Sequence, residues 1–329
     1  MKQGKLTNDQ LKRIIIDKIA PKNAETVLGA GVGEDCCAIK AGEDLCVVST
    51  DPITASNEQT GTLAIHINAN DIAAAGARPI AALVTLLIPP SSSEKKVSRV
   101  MQQMIDTADS LGIDIIGGHT EVTDSVNRLV ASVTMIGKPV LKGRIFKTAD
   151  MKPGEDIIMT KYAGLEGTSI IASDFADELQ SELTGDDERQ LTEIGHSLSV
   201  VLDGTTAAAV DGVSAMHDVT EGGLIGAICE MCMASGTGAD IDFSKVPVYP
   251  VTRKICVRYG IDVLGLISSG SMIITARDGA MVVDALEKAG VRATMIGTVT
   301  QAGVCDVSCG ARQEITPYRA DELYKVLER

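Results

Sequence analysis

His66-Ile67-Asn68-Ala69-Asn70-Asp71-Ile72-Ala73-Ala74-Ala75-Gly76-Ala77-Arg78-Pro79 decides how this chain is read. The run from Gly61 to Ala75 predicts a helix, stopped by Gly76 and Pro79. Isoleucine and alanine surround its polar residues, so the helix is expected to lie buried against its neighbours. Asn68 and Asp71 are three apart and share one side, while His66 and Asn70, four apart, share another. Polar groups inside such a helix need partners. A metal and a nucleotide would serve, and so would an internal hydrogen-bond network; both readings stay open. Arg78, past the helix stop, suits a phosphate contact, a carboxylate partner or plain solvation.

Outward from this helix, further short acidic and glycine-bearing segments lie far apart. They are Gly33-Glu34-Asp35, Ser49-Thr50-Asp51, Gly117-Gly118-His119-Thr120-Glu121 and His217-Asp218-Val219-Thr220-Glu221-Gly222-Gly223. Together they read as a nucleotide–magnesium site distributed over a fold. Carboxylates are hard oxygen ligands for magnesium, which neutralises phosphate charge, and glycines let the backbone approach an anion. Asp35, Asp51, Asp71 and Glu121 are the metal candidates. Asp51 follows an apolar strand at 45–49 and is equally suited to capping a turn. Gly117 and Gly118 follow a short strand at 113–116; His119 offers phosphate binding or proton transfer, against a purely structural role. His217 and Asp218 are catalytic candidates, with a core or interface histidine as the alternative. Thr220 or Asp218 caps a following helix, whose donors around Gly222 and Gly223 would face a phosphate. Gly164-Leu165-Glu166-Gly167-Thr168 and Ser269-Gly270-Ser271 are weaker, because ordinary turns explain them. Cys229-x-x-Cys232 and Cys305-x-x-x-Cys309 make a zinc site only if the pairs meet in space; apolar neighbours favour packing. The same holds for Cys36 and Cys37 as nucleophiles.

Composition sets the outer bounds. The 329 residues suffice for two hydrophobic cores, and aromatics at 2% with no tryptophan make those cores aliphatic. A formal charge of −14 argues against general electrostatic binding of nucleic acid, while divalent ions still bridge the chain to phosphorylated small molecules. No membrane-spanning run and no secretory signal are read, so a cytoplasmic location is the expectation. Eight cysteines without a scaffold spacing fit a reduced compartment.

Further elements follow from periodicity and caps. Thr7–Gln10 and Ser91–Glu94 match capping boxes, the second opening a helix that Gly112 ends. Strands are expected at 80–88, 129–136, 155–160, 272–275 and 293–296, and helices near 191–202, from about 221 and at 282–289. Residues 178–190 read as a polar acidic region. The turn-rich stretch at 148–154 places a boundary at Lys152, giving units 1–151 and 152–329, each α/β or α+β.

Val48-to-Asp51, Asn68-to-Pro79, Gly117-to-Glu121 and His217-to-Leu224 together resemble the aminoimidazole ribonucleotide synthase (PurM-like) superfamily, over nearly the whole chain. That superfamily includes the purine enzyme, thiamine monophosphate kinase, selenophosphate synthetase and the hydrogenase maturation dehydratase HypE. The resemblance implies an N-terminal α/β domain and a C-terminal α+β domain. It also implies a homodimer whose N-terminal sheets join in a shared β-barrel, with ATP and Mg2+ in a cleft beside it. Asp35, Asp51, Asp71 and Glu121 would then serve magnesium or phosphate, Asn68 would arrange the nucleotide segment, and His217-to-Gly223 would face the cleft. The layout is nearest to HypE, which carries a terminal cysteine; here the last cysteine is Cys309 and the sequence ends at Arg329. Gly118-His119-Thr120 is closer to the selenophosphate and purine branches. No cysteine–lysine loop precedes the first acidic segment, and Thr50-Asp51-Pro52-Ile53 departs from the purine enzyme. The implied chemistry is phosphoryl transfer from ATP to a small-molecule or carbamoyl-type oxygen. The alternatives are a small-molecule kinase and a noncatalytic nucleotide-binding maturation or regulatory partner. The expected partners are a small-molecule acceptor, a second copy and a maturation protein.

Overall fold

The computed structural model describes residues 6, 8–19, 21–53 and 58–328. The first half supplies α1 (Asn8–Ile14), β1 (Thr26–Leu28), β2 (Cys37–Ala41), β3 (Asp44–Ile53), α2 (Thr60–Ala74), β4 (Ala77–Ile88), α3 (Glu94–Leu111), β5 (Asp114–Val122) and β6 (Val130–Pro139). The second half adds β7 (Asp156–Thr160), α4 (Leu165–Asp174), α5 (Ala176–Leu179), α6 (Gly185–His196), α7 (Val201–Ala208), β8 (Val213–Asp218) and α8 (Gly223–Ser235). It continues through β9 (Gly238–Ile241), α9 (Pro250–Tyr259), β10 (Met272–Ala276), α10 (Gly279–Lys288), β11 (Ala293–Thr300), β12 (Val304–Asp306), β13 (Gln313–Glu314) and α11 (Tyr324–Leu327). No described helix is long and apolar enough to cross a membrane.

Each half builds one sheet. The first runs β1-β2-β3-β6-β4-β5, antiparallel except for the parallel β4–β5 pair; the second runs β13-β12-β9-β11-β7-β10-β8. Both are open. Closing a barrel requires the two edge strands to pair with each other. Among the described residues β1 pairs only with β2 and β5 only with β4, so the expected shared β-barrel is corrected to an open six-stranded sheet. Ile80, Leu83, Ile116 and Val122 on β4 and β5 remain exposed.

Helix α2 is buried nearly all round, as its sequence predicts, with Leu63, Ala64, Ile65, Ala69, Ile72 and Ala73 in the core. One hydrophobic core runs on from α2, α3 and the first sheet into α4, α9 and Leu323 of the second half. The two sheets thus divide near the linker, but the core does not.

Several boundaries differ from the sequence reading. The cap of α3 is Ser93, whose Oγ accepts from Lys96 N at 3.2 Å, because Ser91 is absorbed in a turn closed by Ser92 N and Pro89 O. The box at Thr7 falls outside the described residues. The helix expected near 191–202 is two helices, α6 and α7, and the acidic region before it holds α5 and the start of α6. Thr184 and Asp187 form a reciprocal capping box there. The break between α6 and α7 has a physical cause. The Asn70 side chain donates to Leu198 O and accepts from Val200 N, both at 2.8 Å, which takes these backbone groups out of any helical ladder. Just beyond, α7 touches α2 directly: a Cβ on Gly204 would lie 2.3 Å from Ala73 O.

Candidate functional site

The cluster around His217 sits where the two halves meet. β8 ends in His217 and Asp218, held by pairing to Ile273 and Met272 of β10. His217 is 2% exposed and Asp218 fully buried. His217 Nδ1 lies 2.7 Å from Asp35 Oδ2, and Nε2 lies 3.3 Å from Glu230 Oε2 on α8. With a carboxylate on each ring nitrogen, the imidazole is held as the cation, donating from both. Burial works against that charge, but Asp35 and Glu230 overcome it and raise the pKa well above the ordinary 6.5. Ligand-type atoms of Asp35, His217 and Asp218 all lie within 4.8 Å of one another. Asp51, Asp71 and Glu121 stand outside that group. Both nitrogens of His217 being engaged, the oxygen donors available to a cation are the carboxylates.

The first half feeds this cluster through α2. Cys36, next to Asp35, donates its thiol to Asp71 O at 3.1 Å. Burial pushes the Cys36 thiol far up, so it is a donor and not a nucleophile. Asn68 clamps the backbone of Asp51: its Oδ1 accepts from Asp51 N at 2.7 Å and its Nδ2 donates to Asp51 O at 3.2 Å. Ser49 Oγ donates to Asn68 O at 3.1 Å. Asn68 is therefore a positioning residue for Asp51, while Asp71 is buried one turn away and Gly33 packs against Glu230 O of α8.

The β5 residues lie elsewhere. His119 and Glu121 are exposed and face each other at 3.5 Å. The register Asp51–Val133–Val84–Gly118 crosses three strand spacings. At about 4.8 Å each, that is roughly 14 Å before the further residues along β5 are counted. Within one chain the β5 pair and Asp51 do not share an ion. Gly117 and Gly118 belong to the strand, not to a loop, and a Cβ on Gly118 would sit 1.8 Å from Val84 O.

At the start of α8, Thr220 O accepts from Gly223 N at 3.1 Å, and Gly222 has φ +89. The Gly222 N–H expected to face a phosphate donates instead to Asp321 Oδ2 at 2.6 Å. Asp321 also accepts from Ile267 N (3.2 Å) and Leu323 N (2.8 Å). Its burial raises the carboxyl to about 6 despite these donors. The Gly164 and Gly167 N–H groups are likewise used internally, by Ser268 Oγ and Ile267 O. Sequence reasoning missed Asp321 and Glu230. Neither stands in a motif, and Glu230 is hidden between the cysteines of Cys229-x-x-Cys232. Those thiols are pushed up to about 11 and about 12 by burial, and no cysteine cluster of ligand geometry exists among the described residues. Lys161, the one described non-glycine residue at positive φ (53°), was missed too; its buried ammonium binds Ser199 O at 2.6 Å and Asp203 at 3.0 Å.

Two mixed sheets joined by a continuous core, with a carboxylate–imidazolium cluster drawn from both halves, define a two-domain PurM-like protein. Residues 33–138 match the N-terminal domain of AIR synthase related proteins and residues 152–310 their C-terminal domain, so the chain belongs to the AIR synthase related family. A putative hydrogenase expression/formation protein of Methanocaldococcus jannaschii is 27% identical over 286 residues, 83% of this chain and 80% of the relative. Carbamoyl dehydratase HypE of Rhodobacter capsulatus is 26% identical over 310 residues, 92% of this chain and 85% of the relative. Among solved structures, a HypE–HypF complex superposes with a TM-score of 0.76 at 19% identity, covering 94% of this chain and 99% of the other. HypE in complex with ATP gives 0.71 at 21%, covering 85% and 87%. Thiamine monophosphate kinase from Aquifex aeolicus gives 0.69 at 18%, covering 93% and 97%.

Proposed function

We propose that the chain is an ATP-using enzyme of phosphoryl transfer, with its nucleotide site where the two halves meet around His217. The observation that carries this reading is the grouping of Asp35 from the first half with His217 and Asp218 from the second, with Asp51 and Asp71 tied to it through α2. The donor set fits magnesium, because Asp35, Asp51, Asp71 and Asp218 offer hard carboxylate oxygens while His217 keeps no free nitrogen for a metal. When bound, the ion would offset the charge of the polyphosphate. The chain's own residues do the rest. Asn68 fixes the backbone at Asp51, and the His217 cation holds Asp35 and, on α8, Glu230 in place. The acceptor is an oxygen of a small molecule or of a carbamoyl-type group, as the HypE relatives suggest; a kinase reaction like that of thiamine monophosphate kinase is the alternative outcome.

A second copy of the chain and a HypF-like maturation protein are the proposed partners. The exposed apolar side chains of β4 and β5 support the first. A second copy also gives His119 and Glu121 a nucleotide to face, since their own chain's Asp51 is out of reach.

Titration calorimetry with ATP, with and without magnesium, tests the reading. The wild type is expected to bind only with the ion present. Asp71→Asn is expected to weaken binding by about tenfold or more, the cost of losing a charge-assisted ligand. Magnesium-independent binding, or equal affinity in the variant, would sink it. Product analysis after ADP release then separates a phosphorylated product from a dehydrated one.

A further inference from the structure

β8 has two ends, and the nucleotide reading uses only one. Its six residues span roughly 17 Å at about 3.3 Å per residue, so Val213 lies far from the His217–Asp218 end. At the Val213 end a cavity of about 620 Å3 opens between the linker and the second sheet. Arg144 and Lys152 line it from the linker side, Arg277 from the end of β10.

The linker wall is partly preformed by Arg144. Arg144 donates from Nη2 to Val213 O at 2.8 Å, and its guanidinium lies 4.4 Å above the Phe146 ring. Two contacts thus fix the side chain, while among the described residues its remaining donors make no hydrogen bond and its charge has no carboxylate partner. Arg277 N donates to Gly212 O at 3.1 Å, which ties the start of the arginine to the turn at Gly212, whose φ of +91 suits glycine. The contact of Arg277 with Asp211 is long, 3.6 Å, between side chains 73% and 90% exposed, and is worth little. Lys152 forms no ion pair among the described residues; its backbone N–H instead donates to Glu155 Oε2 at 2.9 Å. Glu155 is buried, and with Ser214 Oγ as its other partner at 2.5 Å its charge is already engaged within the wall. The remaining carboxylates, Asp150 and Asp211, are exposed to water.

We propose that this cavity is a second ligand site, taking a small oxyanion, phosphate ester or carboxylate, on Arg144, Arg277 and Lys152. Three cations line one cavity whose buried carboxylate, Glu155, is already engaged by Ser214 and the Lys152 N–H, and guanidinium forks match both oxyanion classes. Such a ligand bridges the linker, through Arg144 and Lys152, to the second sheet, through Arg277. It therefore acts on the joint between the halves and not on the reacting atoms. The proposal does not depend on the nucleotide reading.

The test is calorimetric titration of the full chain with inorganic phosphate and, separately, with citrate, at low salt. Both residues chosen for substitution, Lys152 and Arg277, are exposed, so Lys152→Gln with Arg277→Gln leaves the fold intact; circular dichroism checks this. Saturable binding of either anion is expected, weakened about tenfold or more in the double variant. The stronger of the two anions identifies the ligand class. Absence of binding overturns the proposal, as does equal binding by the double variant.

Discussion

The cluster around His217 and the pair on β5 use the same residue types, a histidine beside carboxylates, in opposite settings. His217 is 2% exposed in its side chain and bracketed by Asp35 and Glu230; His119 is 66% exposed and faces Glu121 alone, at 3.5 Å. In the first, burial makes each charge depend on its neighbours, so the group is one structural unit. In the second, water screens both partners and each side chain is free to serve something outside its own chain. Both histidines stand near glycines in sequence; burial is what makes the first group a fixed, mutually dependent unit and leaves the second open to water.

The sharpest way to break this contrast is to remove each histidine. His217→Ala leaves Asp35, Asp218 and Glu230 crowded without their cation and is expected to cost about 3–5 kcal/mol in denaturant unfolding. His119→Ala should stay within about 0.5 kcal/mol. Equal costs would erase the distinction. Next in size is Gly118→Ala, where the new methyl meets Val84 O at 1.8 Å and the parallel β4–β5 pairing must shift. A loss of about 1–3 kcal/mol is expected, with hydrogen exchange quickened along β5.

Two smaller effects appear as pH dependence. The raised pKa of His217 means its contribution is fully present below the ordinary 6.5 and is lost as pH rises through the raised value. The unfolding midpoint of the metal-free protein should therefore fall on the alkaline side, and His217→Gln should remove that slope. Asp321 works in another window. Burial raises its folded carboxyl to about 6 against 3.8 when unfolded, so the folded state holds the extra proton. Stability is then expected to fall as pH rises from 3.8 to about 6 and to level off above, with Asp321→Asn flattening that step. A midpoint that instead rises through this interval in the wild type, and not in the variant, would contradict the assignment.

Much of the layout is legible in the sequence, for a reason visible in α2. Its apolar residues encircle the helix, and only burial on every side accounts for that. Gly112 likewise announces the end of α3, where it sits at φ 67. What escaped are features decided by distant partners. The split between α6 and α7 depends on Asn70, well over a hundred residues away, and nothing in Ser197-Leu198-Ser199-Val200 marks a stop. The strand read at 113–116 stops before Gly117-Gly118, yet the strand runs on through them to Val122, and the glycines serve close contact with β4. At the site, Asp35, Asp71, His217 and Asp218 carry readable surroundings, whereas Glu230 and Asp321 act through tertiary position alone. The expected barrel failed for a comparable reason: strand patterns reveal which residues pair, not whether the last strand returns to the first.

Asn70 and Gly204 have a practical corollary for anyone dissecting this molecule. Because α2 is stitched to residues 198–200 and pressed against α7, a cut at the linker would not release two self-sufficient pieces. The leading fragment would carry a greasy helix flank and a stranded carboxamide into water, and the trailing one would lose the template that bends it. Fragments made separately should aggregate, and recover only when produced together.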